Sequence, residues 1–299
     1  MDFCILTPTY DPTSSLEGCL FSVLAQAKAL EPLGITVHHH VQDGESGLTV
    51  VNRLQAHQQN VKNYGLKNFT FTYTSESDTS MYDALNQAYC KTESSIIGHL
   101  NSDEQYQPNA LLNAYNYLKD HSETDVLCGA TIVTKTEGEY ICSRFPVKPT
   151  LWHTRIRYLT VFTASMFYRR SAVDQLTTYF SDKYRIIGDA DLVCRMIKQG
   201  LCFSITTVYF SLFIDSGDNL ALSPKVTNEK EIFCPYPVWI KKVLKPILAS
   251  IHWMKKALNG SYTKAPFEYV FYGSENEVTL KTVPKPVNIW KRYSATTLS

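Results

Sequence analysis

The chain has 299 residues, 44% of them hydrophobic, and a formal net charge of +1. That is enough for one large domain, or a domain with an appendage, around a sizeable core. The balanced charge excludes the polyelectrolyte character of a nucleic-acid binder, and no apolar run reaches the ~18 residues of a membrane span.

The first hundred residues alternate between two hydrophobic periods. Phe3 to Thr7 reads as a buried strand. Ser14 and Glu17 have capping-box spacing ahead of Leu16, Cys19, Leu20, Val23 and Leu24, which repeat at helical period. Ile35, Val37, His39 and Val41 alternate as a second strand, and Leu48 to Asn63 is predicted helical. Phe69, Phe71 and Tyr73 form a third strand. Ser80 and Asp83 are placed to cap a helix carrying Leu85, Ala88 and Tyr89. Ser95 to Leu100 is a fourth strand, with Pro108 placed to open the next helix over Leu111 to Leu118. Strands follow at Val126 to Val133 and Phe162 to Arg170, a helix at Asp191 to Lys198, and a strand-rich stretch at Cys202 to Phe213. Strands alternating with helices imply a mainly parallel sheet.

Four successive strands end in polar or acidic tetrads or longer runs: Thr7-Pro8-Thr9-Tyr10-Asp11, Gln42-Asp43-Gly44-Glu45-Ser46-Gly47, Ser75-Glu76-Ser77-Asp78 and Asn101-Ser102-Asp103-Glu104. Each alone is a plausible turn. On one sheet edge they form a single crevice, where open α/β sheets hold ligands. His38-His39-His40 cannot converge on one ion, because neighbouring residues of a strand face opposite sides, and is read as structural. Neither a G-x-G-x-x-G loop nor a Walker loop is present. The eight cysteines contain no Cys-x-x-Cys pair and are read as free thiols in a reducing compartment. The N-terminus lacks a basic segment and long apolar run, so a cytoplasmic protein without a signal peptide is expected.

With Tyr82-Asp83-Ala84-Leu85-Asn86, Ser165-Met166-Phe167-Tyr168-Arg169-Arg170 and Gly188-Asp189-Ala190-Asp191-Leu192 added in order, the chain resembles the family 2 glycosyltransferases. The resemblance runs over about residues 1–215. It implies a GT-A fold, a Rossmann-like α/β sheet flanked by helices. The expected organisation is a glycosyltransferase domain at 1–220, with a nucleotide half at 1–104 and an acceptor half at 105–220. A helical or irregular C-terminal extension follows at 221–299.

The resemblance also implies roles. Thr7, Pro8 and Tyr10 flank the nucleotide base, and Asp43 accepts the uracil N–H, as a carboxylate is able to. Asp78, Asn86, Asn101 and Ser102 lie near the nucleotide or sugar. Asp103 holds Mn²⁺ or Mg²⁺ as the retained carboxylate of an Asp-x-Asp element whose first position here is Asn101. Glu104 assists or faces solvent. Asp189 is the general base of an inverting transfer, while Asp191 is assigned to helix capping. Arg169 and Arg170 are expected at a phosphate or in surface salt bridges, the latter being commoner. Thr163-Ala164 replaces the His-Gln found in many relatives, which removes any substrate contact made by that pair.

The expected activity is transfer from a nucleotide-sugar, most simply a UDP-sugar, to a glycan or lipid-linked acceptor. A sugar-1-phosphate nucleotidyltransferase is the rival enzyme, opposed by the absence of Gly, Lys and Arg from the Thr7–Thr13 loop. A non-catalytic nucleotide-sugar-binding protein is the third reading. Beyond Pro235, Ile240, Val243, Leu244, Ile247, Leu248, Ile251 and Leu258 fall near one helical face among five lysines. Such a helix suits peripheral contact with an anionic membrane, the alternative being packing on the main domain, and Pro246 is expected to kink it.

Overall fold

The computed structural model describes residues 1–11, 15–217, 226–262, 265–273 and 277–288. The strands β1 (Phe3–Thr9), β2 (Val37–Asp43), β3 (Phe69–Ser75) and β4 (Ile96–His99) lie side by side in the order β3-β2-β1-β4, all parallel. The helices α1 (Ser15–Leu30), α2 (Leu48–Tyr64) and α3 (Met81–Cys90) connect them. β1 is buried along its whole length because both its faces are covered. Phe3 and Ile5 join the core that contains α1 and α2, whereas Cys4 and Leu6 join the opposite core with Tyr82 and Leu85 of α3. The period-2 alternation of a strand makes that division.

All four strands point their C-terminal ends at one edge, as expected. After β4 the chain leaves the sheet centre. β5 (Glu104–Tyr106) pairs with the far edge instead, antiparallel to β9 (Phe203–Ile214). Asn101-Ser102-Asp103 is therefore the crossover between two distant sheet positions, a location that opens a crevice. The short strand β5, not expected, lies between this turn and α4 (Ala110–Asp120), which covers the helix expected over Leu111 to Leu118. β6 (Val126–Thr134), β7 (Tyr140–Arg144) and β8 (Met166–Arg169) complete the sheet. β8 is antiparallel to both β4 and β6, so the second half is mixed rather than parallel. The strand expected from Phe162 starts only at Met166, after a 3₁₀ turn at Thr163–Ser165, and gives way to α6 (Arg170–Val173).

Two further helices border the crevice: α5 (Leu151–Ile156) and α7 (Gly188–Lys198). The extension holds α8 (Val226–Phe233), α9 (Val238–Leu258) and a hairpin of β10 (Phe267–Tyr272) and β11 (Val278–Val283). The hairpin adds regular structure to a segment expected to be helical or irregular. Gln105 exchanges two hydrogen bonds with the Tyr272 backbone (2.7 and 2.9 Å), and Gln107 does the same with Val270 (2.9 and 3.0 Å). Two side-chain amides thus act as rungs of a strand ladder and dock the hairpin. Tyr269, Phe271 and Val283 close over Ile132, Leu212 and Ile214. α9 runs through Pro246 as one element. Ser14, expected to cap α1, lies outside the described residues.

The three histidines divide as their alternation requires. His39 is fully buried, with Nε2 3.0 Å from the Thr7 hydroxyl, whereas His38 and His40 share Thr72 on the other face (2.7 and 2.8 Å). Burial lowers the pKa of all three, to about 4 for His40. All eight cysteines are free, and only Cys90 is exposed.

Candidate active site

A cavity of about 1790 Å³ runs along the C-terminal edge of the parallel strands. Typical small-ligand sites occupy roughly 300–1,000 Å³, so this one has room for two substrates. Pro8, Tyr10, Asp78, Asn101, Ser102, Asp103 and Asp189 all line it. The sequence-predicted residues thus meet in one place, with three exceptions.

Thr7 is one, turned inward to His39 and fully buried. Asp43 is another. Its carboxylate accepts from the backbone N–H of Ser46 at 3.1 Å, from the Ser46 hydroxyl, and from the Ser75 hydroxyl at 2.6 Å. Fully buried and fully bonded, it locks the β2 and β3 end loops together and does not line the cleft. Ser46 extends this lock to the first loop by accepting the Asp11 N–H at 2.7 Å. Asn86 is the third. Its amide donates to the Phe180 carbonyl (2.9 Å) and accepts the Phe180 N–H (2.8 Å), leaving it as a backbone clamp.

At the β1 end of the cleft Tyr10 is 74% exposed. A Cβ on Gly44 would lie 2.4 Å from Asp78 Oδ2 and 3.1 Å from the Tyr10 ring, so a larger residue would displace the Asp78 side chain. Burial, helped by the charges of Asp83 and Asp43, raises the Asp78 pKa.

The centre of the cleft is acidic. Glu104 does not face bulk solvent. It is almost fully buried at the start of β5, and its Oε2 accepts the Asn101 N–H at 2.8 Å. This bond shapes the turn that presents Asp103. Asn101 Oδ1 in turn lies 2.9 Å from His99 Nε2. Burial raises the Asp103 pKa, and burial together with the charges of Asp103 and Asp189 raises that of Glu104 well above the usual range. Three carboxylates therefore share one low-dielectric region with no lysine or arginine ion-paired to any of them among the described residues. Such uncompensated negative charge fits a divalent cation. The described residues hold no group of three His, Cys, Asp or Glu side chains suited to a metal. The donor set fits an ion held by Asp103 with its other oxygens coming from a diphosphate and water, as magnesium or manganese commonly is.

Asp189 is the second residue of α7. Burial raises its pKa to about 6, opposed by hydrogen bonding to Tyr82 and Thr163. The Thr163 hydroxyl donates to Oδ2 at 3.4 Å, while Oδ1 is buried without a partner. The position that departs from the family pattern thus touches the expected base. Tyr82 donates to the Ile186 carbonyl at 3.0 Å and receives the Asp189 N–H at 3.4 Å. A Cβ on Gly188 would lie 2.5 Å from the Tyr82 ring, so glycine is what lets α7 start against it. Glu229 of α8 takes the backbone N–H groups of Arg185, Ile186 and Ile187 at 2.9, 3.0 and 3.1 Å. Ile187 is the N-cap of α7 and the other two lie in the loop before it, so Glu229 fixes the loop that leads into the positive end of the helix. Tyr82 opens one of the recognised motifs but carries no role there, and nothing local in the sequence signals Glu229, which lies 40 residues after Asp189.

Asp191 forms an i,i+4 ion pair with Arg195 (2.8 Å) rather than a cap. Arg169 makes neither of its expected contacts. It binds the carbonyls of Leu118, His121 and Thr124 behind α4 (2.7, 3.3 and 2.9 Å). Arg170 lies over Tyr89, 4.1 Å from the ring centre, and donates to its carbonyl.

No family model and no curated protein sequence matches the chain. Solved structures do. The S. aureus TarS 1–349 structure aligns at TM-score 0.57 and 14% identity over 88% of this chain and 75% of that one. Its complex with UDP-GlcNAc aligns at 0.55 and 14%, over 88% and 76%. The mannosyltransferase PcManGT from Pyrobaculum calidifontis, in complex with GDP-Man and Mn²⁺, aligns at 0.50 and 14%, over 70% and 56%. The chain spans 46% of a longer S. aureus TarS structure. At these identities the likeness is one of fold: a mixed α/β architecture shared with glycosyltransferase structures.

Proposed function

We propose that this protein is an inverting, metal-dependent glycosyltransferase that uses a nucleotide-sugar, a UDP-sugar being the simplest reading. The observation that carries this is Asp189: a half-buried carboxylate, one oxygen of which is buried without a hydrogen-bond partner, sharing a two-substrate cavity with Asp103 at the switch point of the sheet. The fold neighbours support it, since their structures hold UDP-GlcNAc, UDP, or GDP-Man with Mn²⁺.

The donor lies with its base beside Pro8, Tyr10 and Asp78 and its diphosphate toward Asp103. Asn101 and Ser102, lining the same wall, are placed for its ribose or sugar hydroxyls. A nucleotide contact from Asp43 requires one of its serine hydroxyls to turn away; otherwise Asp43 acts by holding the base-side loops. A Mn²⁺ or Mg²⁺ ion on Asp103 would supply charge neutralisation for the departing diphosphate. With a pKa of about 6, Asp189 is ionised at neutral pH yet basic enough to take a proton. As the acceptor oxygen bonds to the anomeric carbon, the carbon–diphosphate bond breaks from the opposite side. The acceptor proton passes to Asp189, and the nucleoside diphosphate departs with the bonding electrons.

The acceptor is a glycan or a lipid-linked saccharide. The membrane reading draws on α9, where Trp239 and Trp253 are 68% and 63% exposed and Val243 and Ile247 are also open. No helix among the described residues is long and apolar enough to cross a membrane. The deciding experiment is a panel of UDP- and GDP-sugars assayed for Mn²⁺-dependent hydrolysis and thermal stabilisation. A protein that neither binds nor turns over any of them is not a glycosyltransferase of this kind.

A further inference from the structure

Behind the acceptor side of the cavity lies a second cluster, and it has the opposite sign. Arg144 at the end of β7 and Arg157 just after α5 line the cleft wall. Lys256 of α9 sits behind Arg144 and is only 4% exposed. No described residue accepts a hydrogen bond from the Lys256 ammonium; the Tyr262 ring, at 5.6 Å, is its aromatic neighbour. His252, one turn earlier on α9, stacks on His153 of α5 at 5.0 Å, and both rings carry a buried nitrogen without a partner. The charged groups acting on His252 are His153, Lys256, Arg144 and Arg157, and those on His153 are Arg157 and Lys255. Among the described residues, the carboxylate that acts on Cys142, beside this cluster, is Asp215. Arg144 and Arg157 are half-buried, and Arg157 donates to the Lys245 carbonyl at 3.1 Å and lies over the Tyr158 ring, so the buried cation of the three is Lys256. A buried ammonium beside like charges and without a counter-charge is strongly unfavourable. A fold that assembles them at the rim of a substrate cavity has built half of an anion site.

We propose that Arg144, Arg157 and Lys256, joined by His252, bind a phosphate group of the acceptor substrate. Its assignment to the acceptor rests on the glycosyl-transfer reading; the anion site itself does not. The group fits a phosphorylated soluble glycan or the phosphate of a lipid-linked acceptor, since both present the same oxygens.

The test is calorimetric titration of the full chain with inorganic phosphate in EDTA, which removes metal-dependent binding at Asp103. The wild type should bind. R144Q and K256M should each weaken binding about tenfold or more, as loss of a charge-assisted hydrogen bond does, whereas R144K and K256R should retain most of it. Phosphate should also raise the His252 titration seen by NMR in the wild type and not in R144Q. Binding should fade above pH 8, where Lys256 loses its proton. Equal phosphate affinity in the wild type, R144Q and K256M, or no binding in the wild type, overturns the proposal. Competition by sn-glycerol 3-phosphate identifies a soluble source. R144Q-sensitive binding to vesicles of equal parts phosphatidylcholine and phosphatidic acid identifies a lipid one. UDP binding with Mn²⁺, measured alongside, separates the two ideas: its loss in the wild type removes the transferase reading and leaves the phosphate result standing.

Discussion

Replacing Asp189 with asparagine should abolish transfer and at the same time stabilise the protein. The carboxyl is raised from 3.8 to about 6 by burial. Its protonated form is therefore favoured by the fold, and the ionised form opposes folding. At about 1.36 kcal/mol per unit, roughly two units amount to about 3 kcal/mol of instability at neutral pH. Below pH 3.8 the group is protonated in both states and the penalty vanishes; it grows through the interval and is complete above pH 6. The substituted amide carries no charge at any pH. It also relieves Glu104, whose ionisation Asp189 opposes. Urea unfolding of both proteins without metal, across this pH range, reads the difference directly. The expected curve shows equal stabilities in acid and a variant more stable by up to about 3 kcal/mol near pH 7. An Asp189→Asn variant that is less stable at neutral pH, or whose advantage is independent of pH, would refute the claim that Asp189 is held charged against its environment. Unimpaired turnover by that variant would remove Asp189 from the chemistry.

Asp103→Ala should abolish the Mn²⁺ enhancement of UDP binding; calorimetry that finds the same affinity with and without metal in wild type and variant excludes its metal role. Glu229→Ala leaves three N–H groups of residues 185–187 without their acceptor and should cost about 1–3 kcal/mol, with a fall in kcat larger than any change in donor affinity. Unchanged kcat would show that the Asp189 loop holds itself. In the wild type, kcat/KM for the transfer should rise with pH and level off above about 6, as Asp189 ionises; a profile flat down to about pH 4.5 would be inconsistent with that base. Polar replacement of Trp239, Val243 and Ile247 on α9 should abolish sedimentation with anionic vesicles while leaving the melting temperature unchanged, and persistence of vesicle binding would dismiss that face.

Much of this architecture is legible in local pattern, because strands and helices announce themselves over windows shorter than their own length. The period-2 runs place β1 to β4, and the shared edge of their acidic ends follows from their parallel order. The histidine triplet divides for the same reason. What escapes local pattern is set by partners distant in sequence. Asp43 has the setting of a ligand-facing carboxylate, yet Ser46 and Ser75 consume its oxygens. Asn86 sits in a motif that implies a sugar contact, but it clamps Phe180, 94 residues away. Arg169, expected at a phosphate or on the surface, caps α4 through its carbonyls. Glu104 marks the limit most clearly. Its place in the turn is legible, but its pairing with Phe213 of β9, which draws it inward, is not.

The extension is where this distinction has consequences. The resemblance stops near residue 215, and the catalytic domain is expected to end at 220. Yet Glu229 holds the loop that leads into the helix carrying Asp189, Lys256 lies beside Arg144 of the cleft wall, and the hairpin closes the sheet edge through Gln105 and Gln107. Truncation after Pro235, the obvious way to ask whether α9 binds membrane, would remove the last two features and leave Ile132 and Leu212 uncovered. A truncated protein that failed to sediment with vesicles would say nothing about lipids, since its folding and its cleft would have changed together. Point substitutions on the exposed face of α9 and in the Arg144–Lys256 pair divide the problem correctly. The first perturbs only apolar contact with a surface, the second only recognition of phosphate. If the acceptor is lipid-borne, the two should weaken vesicle binding independently and add in free energy, because the residues share no partner.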